Sequence, residues 1–304
     1  MELWAPRYYS DFKCIADECS HTCCAGWEID VDDDALERFR ALGDEKLLST
    51  LEYTDGTPHF RLCENGNCPH LLESGLCRMI IDHGEEVLCE ICREHPRFYN
   101  LPTTRAEVGL GASCEEAARI ILTSDAYSEF VKIGSLDTDS CEEAEIDPLM
   151  IRGFIYSILA DEKTPYDARL SELYARYGVS PAIKTDAEWK EVIGSLEYLD
   201  PAHRELFLSY SYTADTPKAA EKYSERFLAY LVFRHVSSAT TPEEALLLIG
   251  FCFFCERLFT HLLRGENAPS LSDAVEAARI ISEELEYSDE NTDTLAMEFE
   301  TVLE

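Results

Sequence analysis

The stretch Cys14–Trp27, CIADECSHTCCAGW, places four cysteines within eleven residues and decides how the first part of the chain is read. Eleven of the thirteen cysteines lie before residue 142. The start, Met1–Ser10, has neither the charged flank nor the apolar segment of a secretory leader. Reduced thiols and a cytoplasmic location are therefore expected. An odd count and the adjacent pair Cys23-Cys24 also argue against a disulfide framework. Thiolates are the preferred ligands of zinc and of iron–sulfur clusters, and each usually takes four protein ligands. Short spacings close small loops at low entropic cost.

Working outward, Cys68-Pro69-x-Leu71 is followed by Gly75-Leu76-Cys77, then by Cys89-x2-Cys92 and Pro96-Arg97, with Cys114 beyond. The expected metal ligands are Cys14, Cys19, Cys23, Cys24, Cys68, Cys77, Cys92 and Cys114, holding an iron–sulfur cluster, of the 4Fe–4S type, or zinc, and numerous enough for two four-ligand sites or for one cluster and one zinc. Which of them share a metal is left open by spacing alone. His21, His70, His83 and His95 lie among these cysteines and are able to replace one of them, although a surface role suits each. Cys252 and Cys255 stand at i, i+3 on a very apolar helix, where core packing explains them.

From Ser113 onward the pattern is helix after helix. Ser113-Cys-Glu-Glu116 reads as a capping box. Asp147-Pro148, Thr164-Pro165, Thr216-Pro217 and Thr241-Pro242 each set a capping residue before a proline at the first helical position. Helices are expected at 186–198, 201–212, 217–237, 242–264, 271–286 and 290–303, and an earlier one over Asp32–Leu51. Gly26–Val31 and His59–Leu62 read as short strands. The polar run Asp137–Glu145 marks a boundary. The expected fold class is mainly α: an irregular cysteine-rich metal-binding module, residues 1–125, packed on an α-helical domain, residues 146–304.

The chain carries 26 Lys and Arg against 60 Asp and Glu, a formal charge of −34. Phosphate backbones are bound by clustered basic residues, so nucleic acid is excluded as the main partner. The most apolar run, Ala245–Cys255, is far shorter than the roughly 20 residues of a membrane span, and reads as a core helix. An acidic surface suits a basic protein segment as a partner, and it also serves solubility.

Several of these segments resemble the flagellin lysine-N-methylase family. They are Pro6-x-Tyr8, Phe12-x-Cys14, Cys19-x3-Cys23-Cys24-x-Gly26-Trp27, Cys68-Pro69-x-Leu71, Gly75-Leu76-Cys77, Cys92-x3-Pro96-Arg97 and Ser113-Cys114-x-Glu116-Ala117-Ala118-Arg119. The resemblance is dense over residues 6–122 and continues thinly in Phe227-x-x-Tyr230-x-x-Phe233-Arg234. It implies methyl transfer from S-adenosylmethionine to lysines of flagellin or a similar protein, and an iron–sulfur cluster on the eight cysteines named above. Cys63, Cys89, Cys141, Cys252 and Cys255 match no cysteine of that family.

The chain's own motifs support the metal better than the methyl donor. There is no G-x-G-x-x-G, and Gly109-Leu-Gly111 is too little to replace it. The radical signature Cys-x3-Cys-x2-Cys fails because position 26 is Gly26. No catalytic base stands out; Glu28 and Asp30 beside Trp27 read as a solvated acidic loop. The alternative reading is a non-enzymatic iron–sulfur- or zinc-binding protein whose helical domain docks a partner.

Overall fold

The computed structural model describes residues 1–102, 104–137, 144–265 and 268–300, so Cys141 and most of the run Asp137–Glu145 lie outside the described residues. Among the described residues the fold is mainly α, with six strands: β1 (Glu2–Pro6), β2 (Leu51–Thr54), β3 (Thr57–Phe60), β4 (Arg97–Asn100), β5 (Ala106–Leu110) and β6 (Phe130–Ser135). The chain divides into two compact units, residues 13–97 and residues 1–12 with 98–304. That division differs from the sequence reading of 1–125 and 146–304. Residues 1–12 and 98–125 belong to the helical unit because they build its sheet and core.

In the larger unit the sheet order is β4-β5-β1-β6. β1 runs parallel to β5, with Leu3 opposite Ala106, and antiparallel to β6, with Ala5 opposite Val131. β6 falls where the sequence suggested only a boundary. Phe130 is half-buried and the residues after it are exposed, so the strand gives little apolar signal. β5 is buried throughout. Its Glu107, with no exposed surface, accepts from Arg152 at 2.6 and 2.8 Å and from Arg105.

Helix Glu221–His235 and helix Pro242–Leu262 form the centre of this unit's core, with Phe227 stacked on Phe259 at 4.5 Å between ring centroids. Pro242–Leu262 is long and apolar enough to cross a membrane. Here it is a core helix: its Glu256 and Arg257 are buried and paired with each other, and Tyr166 donates to Glu256 at 3.0 Å. Cys252 and Cys255 are fully buried on it.

Two of the expected proline-adjacent caps form. Asp147 accepts from the Leu149 amide at 3.0 Å and Thr241 from that of Glu244 at 3.1 Å. At 164–165 the cap position passes to Pro165, and after Thr216-Pro217 the helix begins only at Glu221. The capping box at Ser113 does not form. Cys114 occupies the cap position, the Ser113 hydroxyl is buried without a partner, and Glu116 is drawn into a bidentate pair with Arg119 at 2.6 Å.

In the smaller unit the expected helix over Asp32–Leu51 is broken. Asp33–Leu42 ends at Gly43, which takes a left-handed φ of 65°, and a single turn, Glu45–Leu48, follows. β2 and β3 make a hairpin with Glu52 opposite His59, so the strand expected at His59–Leu62 starts two residues earlier. A small core gathers Ile29, Val31, Leu36, Phe39, Phe60, Met79 and Val87 together with Cys68 and Cys89. Units with so little apolar core usually rely on a metal or cross-link.

Candidate metal centre

Two loops of the smaller unit are joined by backbone hydrogen bonds. Cys68 donates its amide to the Cys24 carbonyl at 2.7 Å, and Gly26 donates to Gly66 at 3.0 Å. Gly26 has a φ of 87°, a conformation that glycine adopts without steric cost. The Trp27 indole N–H closes the same turn on the Cys23 carbonyl at 3.0 Å. A second turn brings Cys77 back: Leu71 bridges Cys77, and Arg78 donates to the His70 carbonyl at 2.8 Å. Cys89 then caps helix Glu90–Glu94, which carries Cys92.

These turns bring five sulfurs into one electrostatic neighbourhood: Cys24, Cys68, Cys77, Cys89 and Cys92. Burial pushes the Cys68 thiol up to about 12, and burial likewise raises Cys77. A hydrogen bond from Cys23 brings Cys24 down to about 7. Within the pair Cys89–Cys92, their mutual hydrogen bond lowers Cys89 and raises Cys92. Backbone amides face three of the sulfurs: His70 faces Cys68, Met79 and Ile80 face Cys77, and Cys92 faces Cys89. Amides aimed at sulfur favour thiolate, whereas packing several thiolates into one buried place opposes it. A metal cation resolves that conflict, because a coordinating thiol is deprotonated outright. Among the described residues no three of these sulfurs lie within 4.8 Å of one another; it is the donor chemistry, five soft thiols in one neighbourhood, that suits a thiolate-bound metal.

Of the expected ligands, Cys24, Cys68, Cys77 and Cys92 lie in this neighbourhood, with Cys23 hydrogen-bonded to Cys24. Cys14 is exposed, and its sulfur accepts the Ala16 amide at 3.4 Å. Cys19 is half-buried in the same loop. Cys114 belongs to the larger unit, at the start of helix Glu115–Thr123. Cys89, which matched no family cysteine, is fully buried inside the group. Its signal was the Cys-x2-Cys spacing itself. Cys63 sits exposed in the turn Cys63–Asn67. The described cysteines form no disulfide.

Two of the histidines considered as replacements have other partners. Burial holds His70 down to about 4, and its Nε2 meets the Thr50 hydroxyl at 3.1 Å. His83 pairs with Asp44 at 2.9 Å. Arg97 reaches the carbonyls of Arg93 and Glu94 at the end of their helix, at 3.4 and 3.5 Å.

The aromatic segment at 227–234 is core. Phe227, Tyr230 and Phe233 are buried. The Tyr230 hydroxyl accepts the Ala112 amide at 3.0 Å and donates to Glu286 at 3.1 Å. Burial alone raises the Glu286 carboxyl, yet Arg234 and His235 outweigh it, and the net shift is downward. Gly109 lies under Phe98 and Phe233, which accounts for that glycine without any phosphate to bind.

Three relatives share a 133-residue stretch with this chain, 40% of its length. The flagellar biosynthetic protein FliU of Salmonella muenchen is 26% identical there, over 79% of its own length. The lysine-N-methylases of Salmonella choleraesuis and Salmonella typhimurium are each 27% identical, over 33% of theirs. The chain thus spans about a third of the length of those two lysine-N-methylases. No protein-family profile matches the chain, and no solved structure does.

Proposed function

We propose that the protein is an S-adenosylmethionine-dependent protein lysine N-methylase with a cysteine-ligated metal centre, acting on flagellin or a similar protein. The observation that carries this reading is the shared stretch with two lysine-N-methylases and a flagellar biosynthetic protein. Beside it stands a thiol group of the kind a metal needs. Cys24, Cys68, Cys77, Cys89 and Cys92 would hold the metal, an iron–sulfur cluster or zinc. Bound there, it would supply a fixed positive charge and a cross-link to a unit with a small core; a cluster would add one-electron chemistry.

The chain's own contribution to methyl transfer begins with substrate attraction. A net charge of −34 draws in a lysine-bearing basic segment and slows as salt screens it. The acceptor amine must be neutral to attack the sulfonium methyl, so a nearby base or an apolar setting is required.

The competing reading, a metal-binding protein whose helical unit docks a partner, draws on the same metal group without the donor. Calorimetry with S-adenosylmethionine separates them, followed by transfer of labelled methyl groups to purified flagellin. Saturable binding and labelled lysine are expected. No heat at millimolar donor and no label would overturn the methylase reading and favour the docking one.

A further inference from the structure

His59 stands at the centre of three short extended segments in the smaller unit. It lies opposite Glu52 across the hairpin, and it bridges Asp30 on the other side. The flanking bonds Val31 amide to Pro58 carbonyl, 2.8 Å, and Phe60 amide to Ile29 carbonyl, 3.1 Å, fix that register. Residues directly opposite across strands project to one face, and so do residues two apart along a strand. Glu28, Asp30, His59 and Glu52 therefore share a face.

On that face His59 is only 3% exposed, while the three carboxylates reach solvent. Its Nε2 meets a Glu52 oxygen at 3.3 Å. A carboxylate only accepts, so in the tautomer that donates from Nε2 to Glu52, Nδ1 is left as an acceptor. Nδ1 is buried with no hydrogen-bond partner. Glu28 approaches it to 3.3 Å, without the alignment of a hydrogen bond. Ligand atoms of Glu28, Asp30 and His59 all lie within 4.8 Å of one another. Among the described residues no lysine or arginine pairs with any of these carboxylates. In that tautomer three acceptors converge with no donor between them, an arrangement that a cation would satisfy.

We propose that Glu28, Asp30 and His59 Nδ1 bind a divalent transition-metal ion, at a site built without cysteine, with Glu52 orienting the imidazole. A carboxylate on the far nitrogen is the arrangement that fixes tautomer and ring direction in many metal-bound histidines. One imidazole and two carboxylates suit manganese, iron or zinc, with water completing the coordination. A second trio, His203, Glu283 and Glu284, does not share this character. Glu284 accepts from Leu199, Asp200 and His203, and Glu283 accepts from Arg279 at 2.6 Å.

The site is tested on the full chain as purified, by titrating Mn²⁺, an ion that thiolates hold poorly. Electron paramagnetic resonance should show one saturable site with magnetic coupling to a ring nitrogen. Glu28→Gln and Asp30→Asn, both on exposed side chains, should each weaken binding by roughly 10-fold or more with circular dichroism unchanged, and Glu52→Gln by roughly 10–100-fold. Non-saturating uptake, a saturable site without nitrogen coupling, or binding indifferent to Asp30→Asn would each overturn the proposal.

Discussion

Replacing Gly109 by alanine puts a methyl group where two aromatic rings already stand. The added carbon would lie 2.3 and 2.6 Å from two atoms of the Phe98 ring and 2.5 Å from the Phe233 ring. Carbon atoms prefer about 3.5–4.0 Å, so each ring must retreat by roughly 1 Å. Phe233, 1% exposed, has little room to do so. Phe233 is backed by Phe130, with centroids 5.2 Å apart, and by the Arg152 guanidinium at 5.3 Å. Overpacking of this kind costs about 1–3 kcal/mol, and alanine returns about 0.5–1 kcal/mol as the better strand residue. With contacts as short as 2.3 Å the cost lies toward the upper end of that range, so a net loss of about 2 kcal/mol follows, a fall in Tm of roughly 4–8 °C for a unit of this size. Gly134→Ala is the control, because nothing lies within 4 Å of its added carbon. Thermal melts by circular dichroism read both. A Gly109→Ala protein melting with Gly134→Ala and the parent would refute the packing argument.

Arg152→Met leaves the buried Glu107 carboxylate with Arg105 as its remaining partner; stability in urea should fall by about 3 kcal/mol, the scale for breaking a buried pair, and an unchanged midpoint would contradict the network. His203 is held above the usual histidine range, chiefly by its hydrogen bond to Glu284 at 2.6 Å. A raised folded value stabilises the protonated form. The advantage of the parent over His203→Gln should therefore be full below about pH 6.5, the unfolded histidine value, and should decline as pH rises through the folded value. Urea midpoints across pH 5–9 check this, and an advantage that grows with pH would reverse the sign of the argument.

The helical part was legible because its signals are local. Asp147-Pro148 and Thr241-Pro242 announce caps that the structure forms, and the apolar run at 245–255 is a core helix. The sheet was not legible. β1 meets β5 about a hundred residues away, and β6 is an edge strand whose residues after Phe130 are exposed, so neither leaves a strong periodic trace. At 113–116 the capping-box letters were present, but the bidentate pair with Arg119 held Glu116 away from the cap. Gly43 divided a helix that periodicity alone would have run through. Among the cysteines, short spacings pointed to metal. Which sulfurs meet depends on the pairing of loops 24–26 and 66–68, which spacing does not encode. Cys89, outside the family positions, is buried beside Cys92 as the chain's own Cys-x2-Cys spacing would place it. His59 carried no sequence signal, since its partners come from two other segments.

Metal analysis of anaerobically purified protein, beside Cys89→Ser and Cys63→Ser, decides whether the buried cysteine group binds metal. Bound iron with acid-labile sulfide, or bound zinc, should be retained by Cys63→Ser and largely lost from Cys89→Ser. A metal-free parent protein with an unchanged fold, or a Cys89→Ser protein with full metal content, would contradict metal binding by that group.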